Sequence, residues 1–267
     1  MVEGYSNFLI RLLEKDVPVS LNTKVTGITV NAGREKGVPP VTVSVQAKKD
    51  GKSVSCTDLE ADYCVVTLPL GVLQSGSVTF EPPLPNDKRD AIQSMGMGVE
   101  NKIILRYTKP FWEGKEPYLQ SPDVRFRFIN GHYFGLDGVI IAHTGPPFSR
   151  GFDGLSDQQV IDEVKAVLKG MYGSRMNEAL YCDGNVTRWH EDEFAMGSYS
   201  YMKLGSHTQH VRALGAPCHD GRLYFAGEAC SLEAAQCVHG AYDTGQRAAD
   251  AIRVHIAGPG TGPTTGR

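Results

Sequence analysis

The segment Leu223-Tyr224-Phe225-Ala226-Gly227-Glu228, followed shortly by Cys237-Val238-His239-Gly240-Ala241, constrains the fold of this chain more than any other. An apolar run that ends in glycine and an acid reads as a buried strand entering a turn, and a helix opens near Val238 and runs to about Ile256. Such a helix start offers free N–H groups and a partial positive charge to an anionic ligand. Gly240 and Ala241 permit close approach of a backbone. On spacing alone a second reading stands beside this one: a generic strand-turn-helix with Glu228 as a solvated or capping acid.

The remaining periodicities interleave strands and helices. Phe8, Leu9, Leu12 and Leu13 share one face of a helix over Ser6–Lys15, and Pro18 stops it before an extended stretch from Val19 to Val30. Alternation through Val41, Val43 and Val45, broken at Asp50-Gly51, predicts an antiparallel hairpin that feeds a buried strand over Tyr63–Leu68. Leu84–Met95 reads as a helix, and Asn101–Tyr107, Arg125–Ile129, Val139–His143 and Leu180–Trp189 read as strands. Ser156 with Gln159 forms a capping box ahead of the stripe Val160, Ile161, Val164, Val167, Leu168 and Met171. The tail Gly258–Arg267, rich in Gly, Pro and Thr, is expected to be disordered. The order of elements suits an α+β, mixed-sheet fold with a returning strand-turn-helix at the end.

Composition narrows the function classes. The 267 residues carry a formal charge of −3 with no basic stripe, which disfavours nucleic acid as a direct partner. No apolar run reaches the roughly 20 residues of a membrane span, and the first residues lack a secretory pattern, so a cytoplasmic, nuclear or peroxisomal setting is expected. The six cysteines contain no C-x-x-C and read as buried free thiols, and no metal site is expected. His207 and His210 lack a third ligand and read as surface histidines in a polar loop. Gly197-Ser198-Tyr199-Ser200 is not a nucleophile elbow, because it lacks G-x-S-x-G and its context.

Gly227-Glu228 with Val238-His239-Gly240-Ala241 and Gly245 resembles the C-terminal flavin-contacting motif of the flavin amine oxidases, which include polyamine oxidases, monoamine oxidases and flavin-dependent lysine demethylases. Three further stretches agree in the same order. They are Thr67-Leu68-Pro69-Leu70-Gly71-Val72-Leu73, then Phe80–Pro85 with Asn101-Lys102 and Phe111-Trp112, then Trp189 with Gly197–Tyr201. The resemblance runs from about Gly4 to Ile256. It implies the C-terminal half of a two-domain fold: residues 1–72 as part of an FAD-binding domain, 73–188 as a mixed-sheet substrate-binding domain, and 189–257 as a returning FAD-binding segment.

Carried onto this sequence, the resemblance implies that Glu228 faces the ribityl-pyrophosphate of FAD and that the backbone of Val238 meets the pyrimidine edge of the isoalloxazine. Cys237 and Ala241 flank that contact. Val25 matches a strand on the adenine side, Thr67, Leu68 and Pro69 match a loop lining the cofactor, and Trp189 matches an aromatic near the ring. Lys102 matches a lysine that holds a water against flavin N5, and Tyr199 an aromatic flanking the substrate amine. On residue type alone, Lys102 reads as a strand lysine in solvent, and a core tyrosine is the alternative for Tyr199. Ser198 stands where monoamine oxidases carry a flavin-linked cysteine, which implies non-covalent FAD.

The sequence departs from the family's pattern in three places. A second cage tyrosine is absent from Glu233-Ala234-Ala235-Gln236-Cys237, and Glu193 replaces a usual proline. The G-x-G-x-x-G turn that would hold the ADP half of FAD is absent: Gly96-Met97-Gly98 follows a helix and precedes a strand, the wrong context for a phosphate cradle. The expected activity is oxidation of an amine, a polyamine first among candidates, to an imine, with hydride passing to FAD and oxygen yielding hydrogen peroxide. The rival expectations are a histone lysine demethylase-type oxidase and a catalytically silent fragment, and a missing N-terminal half is a candidate partner.

Overall fold

The computed structural model describes residues 17–31, 38–49 and 52–258. The expected helix over Ser6–Lys15 and the tail beyond Gly258 lie outside them. The described residues form two compact units, Val99–His190, and Ser20–Gly98 with the residues from Glu191 onward. Residues 73–98, which the sequence reading grouped with the substrate-binding part, group by packing with the strands before them. Ile92 and Met95 sit in the same core as Ile28, Val41 and Leu223.

The discontinuous unit begins with β1 (Thr23–Val30), β2 (Val41–Lys49) and β3 (Lys52–Ala61), an antiparallel meander with Val30 opposite Val41 and Val41 opposite Ala61. After β4 (Cys64–Val66) comes a short helix, α1 (Leu70–Ser75), then β5 (Thr79–Glu81), which runs parallel to β1. The sheet order β3-β2-β1-β5 brings Gly27 against Thr79, where a Cβ would lie 2.8 Å from the threonine Oγ1. Next come α2 (Asn86–Ser94) and β6 (Gly96–Met97).

The continuous unit is a five-stranded antiparallel sheet of order β11-β7-β10-β9-β8, made of β7 (Asn101–Tyr107), β8 (Tyr118–Leu119), β9 (Arg127–Asn130), β10 (Val139–Thr144) and β11 (Tyr181–Val186). Ile103, Leu105 and Tyr107 point to one face, where α3 (Asp157–Tyr172) lays Val160, Ile161, Val164 and Leu168. Both halves of its capping box form: Ser156 N–H donates to Gln159 Oε1 at 2.9 Å and Gln159 N–H to Ser156 Oγ at 3.3 Å. Phe111 and Trp112 belong to this core, with Trp112 Nε1–H donating to the buried Asn130 Oδ1 at 2.8 Å.

The chain returns to the discontinuous unit through β12 (Ser200–Tyr201), which pairs with β6, then α4 (Thr208–Gly215), β13 (Leu223–Phe225) and α5 (Val238–Ala257). The mixed α/β architecture with several sheets is the one expected. The polar loop assigned to His207 and His210 is instead the start of a helix, in which the His207 N–H donates to His210 Nδ1 at 3.0 Å. A polar first turn masked the amphipathic pair Val211 and Leu214, both buried. The thiol expectation also needs correction: Cys218 and Cys230 are buried, but Cys56, Cys182 and Cys237 are exposed. No helix among the described residues is long and apolar enough to cross a membrane.

Candidate functional site

The strand-turn-helix at the end of the chain is built as a unit. β13 is buried throughout and pairs parallel with β4, Phe225 opposite Val66, and the Ala226 N–H donates to the Val66 carbonyl at 3.1 Å. Thr67 and Gly227 therefore emerge side by side at the carboxyl ends of two parallel strands, the place where open α/β sheets receive ligands. Gly227 has φ 140°, a conformation that side chains rarely adopt, and no atom lies within 4 Å of where its Cβ would be. Its N–H donates to Thr244 Oγ1 at 3.0 Å, which pins the turn to α5.

Cys237 is the N-cap of α5 and supplies no side-chain cap. The first N–H groups of such a terminus have no intrahelical partner, and Val238 and His239 are exposed there while Gly240 is buried. Gly240 is required by packing, since a Cβ there would overlap the Ala234 carbonyl. The loop before the helix is held by Ala234 N–H donating to Ser231 Oγ at 3.0 Å and by Glu228. The Glu228 carboxylate accepts from Ser200 N–H at 3.0 Å, Ser200 Oγ–H at 2.8 Å and Gln236 N–H at 2.8 Å.

Tyr199 precedes β12 and is half-buried, its carbonyl accepting from Gly98 N–H at 2.7 Å while Ser198 N–H donates to the Gly98 carbonyl at 2.9 Å. The dismissed Gly96-Met97-Gly98 thus has a use unrelated to phosphate. Gly96 lies under the Tyr201 ring, and a Cβ on Gly98 would crowd the Tyr199 carbonyl at 3.1 Å. Gly71 lies beneath the carbonyls of Ala195 and Met196, which brings the Thr67–Pro69 loop to the segment leading into Tyr199. Glu193, at the family's usual proline, pairs with Lys24 at 2.5 Å and anchors the same segment on β1.

The structure thus gathers Thr67, Leu68, Pro69, Tyr199, Glu228, Cys237, Val238 and Ala241 into one unit. Thr67, Pro69, Cys237 and Val238 are exposed, and Leu68 and Ala241 half-buried. Val25, in the same unit, packs its half-buried side chain against the core, which leaves backbone as its offering to a ligand. Lys102 and Trp189 belong to the continuous unit. Lys102 is exposed on the face of β7 opposite the α3-covered core, directly across from His143, and its N–H donates to Thr187 Oγ1 at 2.8 Å. Trp189 is exposed, its N–H held by the buried Asn101 Oδ1 at 3.0 Å.

Two contributors escaped the sequence reading. Thr244 is a polar residue buried in mid-helix, four residues after Gly240, and that spacing was its one signal. Ser200 is buried because it answers Glu228, a pairing across 28 residues that no local pattern announces. The buried thiols of Cys218 and Cys230 are each pushed up to about 11 by loss of water, which removes them as nucleophiles.

The family model described as flavin containing amine oxidoreductase matches residues 1–253. The chain belongs to that family. It is 35% identical over 259 residues to polyamine oxidase 4 of Oryza sativa subsp. japonica, covering 96% of this chain and 49% of that protein. With polyamine oxidase 2 of Arabidopsis thaliana the identity is 32% over the same shares. With lysine-specific histone demethylase 1 homolog 1 of Arabidopsis thaliana it is 32%, over 74% of this chain and 24% of that protein. Cyclohexylamine oxidase from Brevibacterium oxydans shares the fold at a TM-score of 0.67 and 21% identity, over 88% of this chain and 49% of that one. The chain spans about half the length of the polyamine oxidases it matches. Family membership implies a flavin, and the uncapped α5 terminus beside two parallel strand ends fits an electron-rich or anionic group of that kind.

Proposed function

We propose that the chain carries the isoalloxazine and ribityl side of a non-covalent FAD site in an enzyme that oxidises primary or secondary amines, polyamines first among them. The observation that carries this reading is the α5 N-terminus, a twenty-residue helix whose first turn has no capping side chain and which is tied through Thr244 to Gly227 at the end of β13. Bound there, FAD would supply the two-electron acceptor for conversion of an amine to an imine, with oxygen consumed and hydrogen peroxide released.

The chain's own residues have separate tasks in this reading. The N–H groups of Val238 and His239 stabilise negative charge on the pyrimidine edge. The Thr67–Pro69 loop lines the cofactor. The Tyr199 ring offers an aromatic face to the amine, whose ammonium form is drawn to the ring quadrupole. Lys102 holds a water by donating from Nζ. Polyamine substrates are favoured by relatives named polyamine oxidases that align over 96% of the chain. The demethylase reading has its own support in lysine-specific histone demethylase 1 homolog 3 of Oryza sativa subsp. indica, aligned over 94% of the chain.

Peroxide release from spermine, spermidine and a methyl-lysine histone peptide, with this chain joined to a dinucleotide-binding half, separates the substrates. Turnover of spermine or spermidine above the peptide supports the polyamine reading, and preference for the peptide replaces it with the demethylase reading. No peroxide from any of the three, with flavin bound, rejects the oxidase activity.

A further inference from the structure

Glu228 receives three donors and is the hub of two segments far apart in sequence. On one side is Ser200, buried to 1% exposure and next to Tyr199. On the other is Gln236, a non-glycine residue at φ 67°, immediately before the N-cap of α5. Residues in that left-handed region persist only where their surroundings over-determine them, and the Gln236 N–H bond to Glu228 is one such determinant. Every group that Glu228 meets in these bonds is a donor. An ionised carboxylate, which only accepts, satisfies all three, whereas an amide would turn its NH2 toward one of the backbone N–H groups.

We propose that Glu228 is a positioning residue whose carboxylate is an internal clasp, tying the Tyr199–Tyr201 strand to the turn that presents the α5 N-terminus. What the clasped helix end is for rests on the flavin reading; the clasp does not. Charge supports the assignment. An ionised carboxylate turned toward a pyrophosphate would repel it, while one absorbed by three donors leaves the positive end of the α5 dipole to act on the ligand. A single acid thereby sets two flanks of the site at once, the aromatic strand and the helix terminus.

Amide hydrogen exchange read residue by residue in the full chain, without flavin, tests the clasp. Glu228→Gln, whose NH2 must face one of the two, should speed exchange of at least one of the Ser200 and Gln236 amides by about tenfold, the order expected for loss of such a bond, while Leu105 and Leu214 keep their protection. Glu228→Asp, which keeps the charge but not the length, should stay nearer the unmodified chain than Glu228→Gln, which keeps the length but not the charge. Ser200→Ala removes the hydroxyl alone and should leave Gln236 protected. Unchanged exchange at both Ser200 and Gln236 in Glu228→Gln, or better preservation by Gln than by Asp, overturns the proposal. Repeating the measurement with excess FAD separates the two readings. Slowed exchange at Val238–Gly240 in the unmodified chain but not in Glu228→Gln supports both. Protection that persists in Glu228→Gln overturns the clasp as the setter of the helix end. No slowing in the unmodified chain counts against the flavin reading, and the exchange without flavin still decides the clasp.

Discussion

Gly227 and Thr244 hold each other from both sides: the Gly227 N–H donates to Thr244 Oγ1 at 3.0 Å, and that hydroxyl lies 3.0 Å from the Gly227 carbonyl. The same oxygen is 2.9 Å from the carbonyls of Gly240 and Ala241, so its single proton has three acceptors to choose among. The turn where β13 ends and the first turn of α5 are thereby fixed to one another.

Thr244→Val keeps the shape and removes the hydroxyl, leaving a glycine N–H near the helix with no partner. The expected cost is about 1–3 kcal/mol of unfolding free energy, read from urea denaturation, with Thr244→Ser retaining most of it. Equal midpoints for Val and Thr would show that water replaces the hydroxyl without loss.

Lys88 is only 2% exposed, and its ammonium donates to the carbonyls of Ala213 at 2.8 Å, Leu214 at 2.7 Å and Ala216 at 2.6 Å, closing the end of α4. Its Nζ also sits 3.8 Å over the Phe225 ring. Burial nevertheless pushes its pKa down to about 8, with the Cys218, Cys230 and Asp87 side chains opposing. Above that pH the folded chain sheds a proton that the unfolded chain keeps to about 10.4. The unfolded state then binds more protons, so this group's contribution to stability rises with pH between those values and is lost as pH falls through the lower one. The stability of the unmodified chain relative to Lys88→Met should therefore increase from about pH 8 to about pH 10. The unfolded-state titration of Cys218 and Cys230 is common to both chains and cancels in the difference, and in the folded chain both thiols are pushed up to about 11, above this window. A flat difference across that window would contradict the account.

How much of this was legible in the sequence depends on how local each determinant is. β7 was expected and found at Asn101–Tyr107, a short segment with the apolar centre Ile103–Leu105, and the Ser156–Gln159 box marks the start of α3 just as locally. The parallel pairing of β4 with β13 joins residues about 160 apart, and a three-residue strand carries too little pattern to name its partner. β12 is two residues long and exists because Gly96 and Gly98 leave room for it. The candidate site residues rest on family motifs rather than on local pattern. The groups that hold them, Thr244 and Ser200, belong to tertiary hydrogen bonds and leave no periodic trace.

Ser198 stands where a thiolate would be needed for attachment, and its hydroxyl lacks that reactivity. Acid precipitation of flavin-loaded protein should leave the yellow colour in the supernatant, and colour held in the pellet would refute a non-covalent site.

Lys102→Met, in a preparation that turns over amine, should slow flavin reduction or reoxidation by at least about tenfold, as for loss of one positioned polar group. Substrate affinity should change less. Stopped-flow half-reactions equal to those of the unmodified protein would reduce Lys102 to an exposed strand lysine.

The account holds that this chain contains one side of a flavin site, with Val238, Thr67 and their neighbours addressing the ribityl and isoalloxazine end and no G-x-G-x-x-G turn for the adenosine end. Half a set of contacts gives less than half the affinity, because the cost of immobilising the cofactor remains while favourable contacts are lost. The most direct measurement is a titration of the purified chain with FAD, followed by a peroxide assay with spermine. The account predicts binding weaker than about micromolar and no peroxide; sub-micromolar binding together with turnover would contradict it.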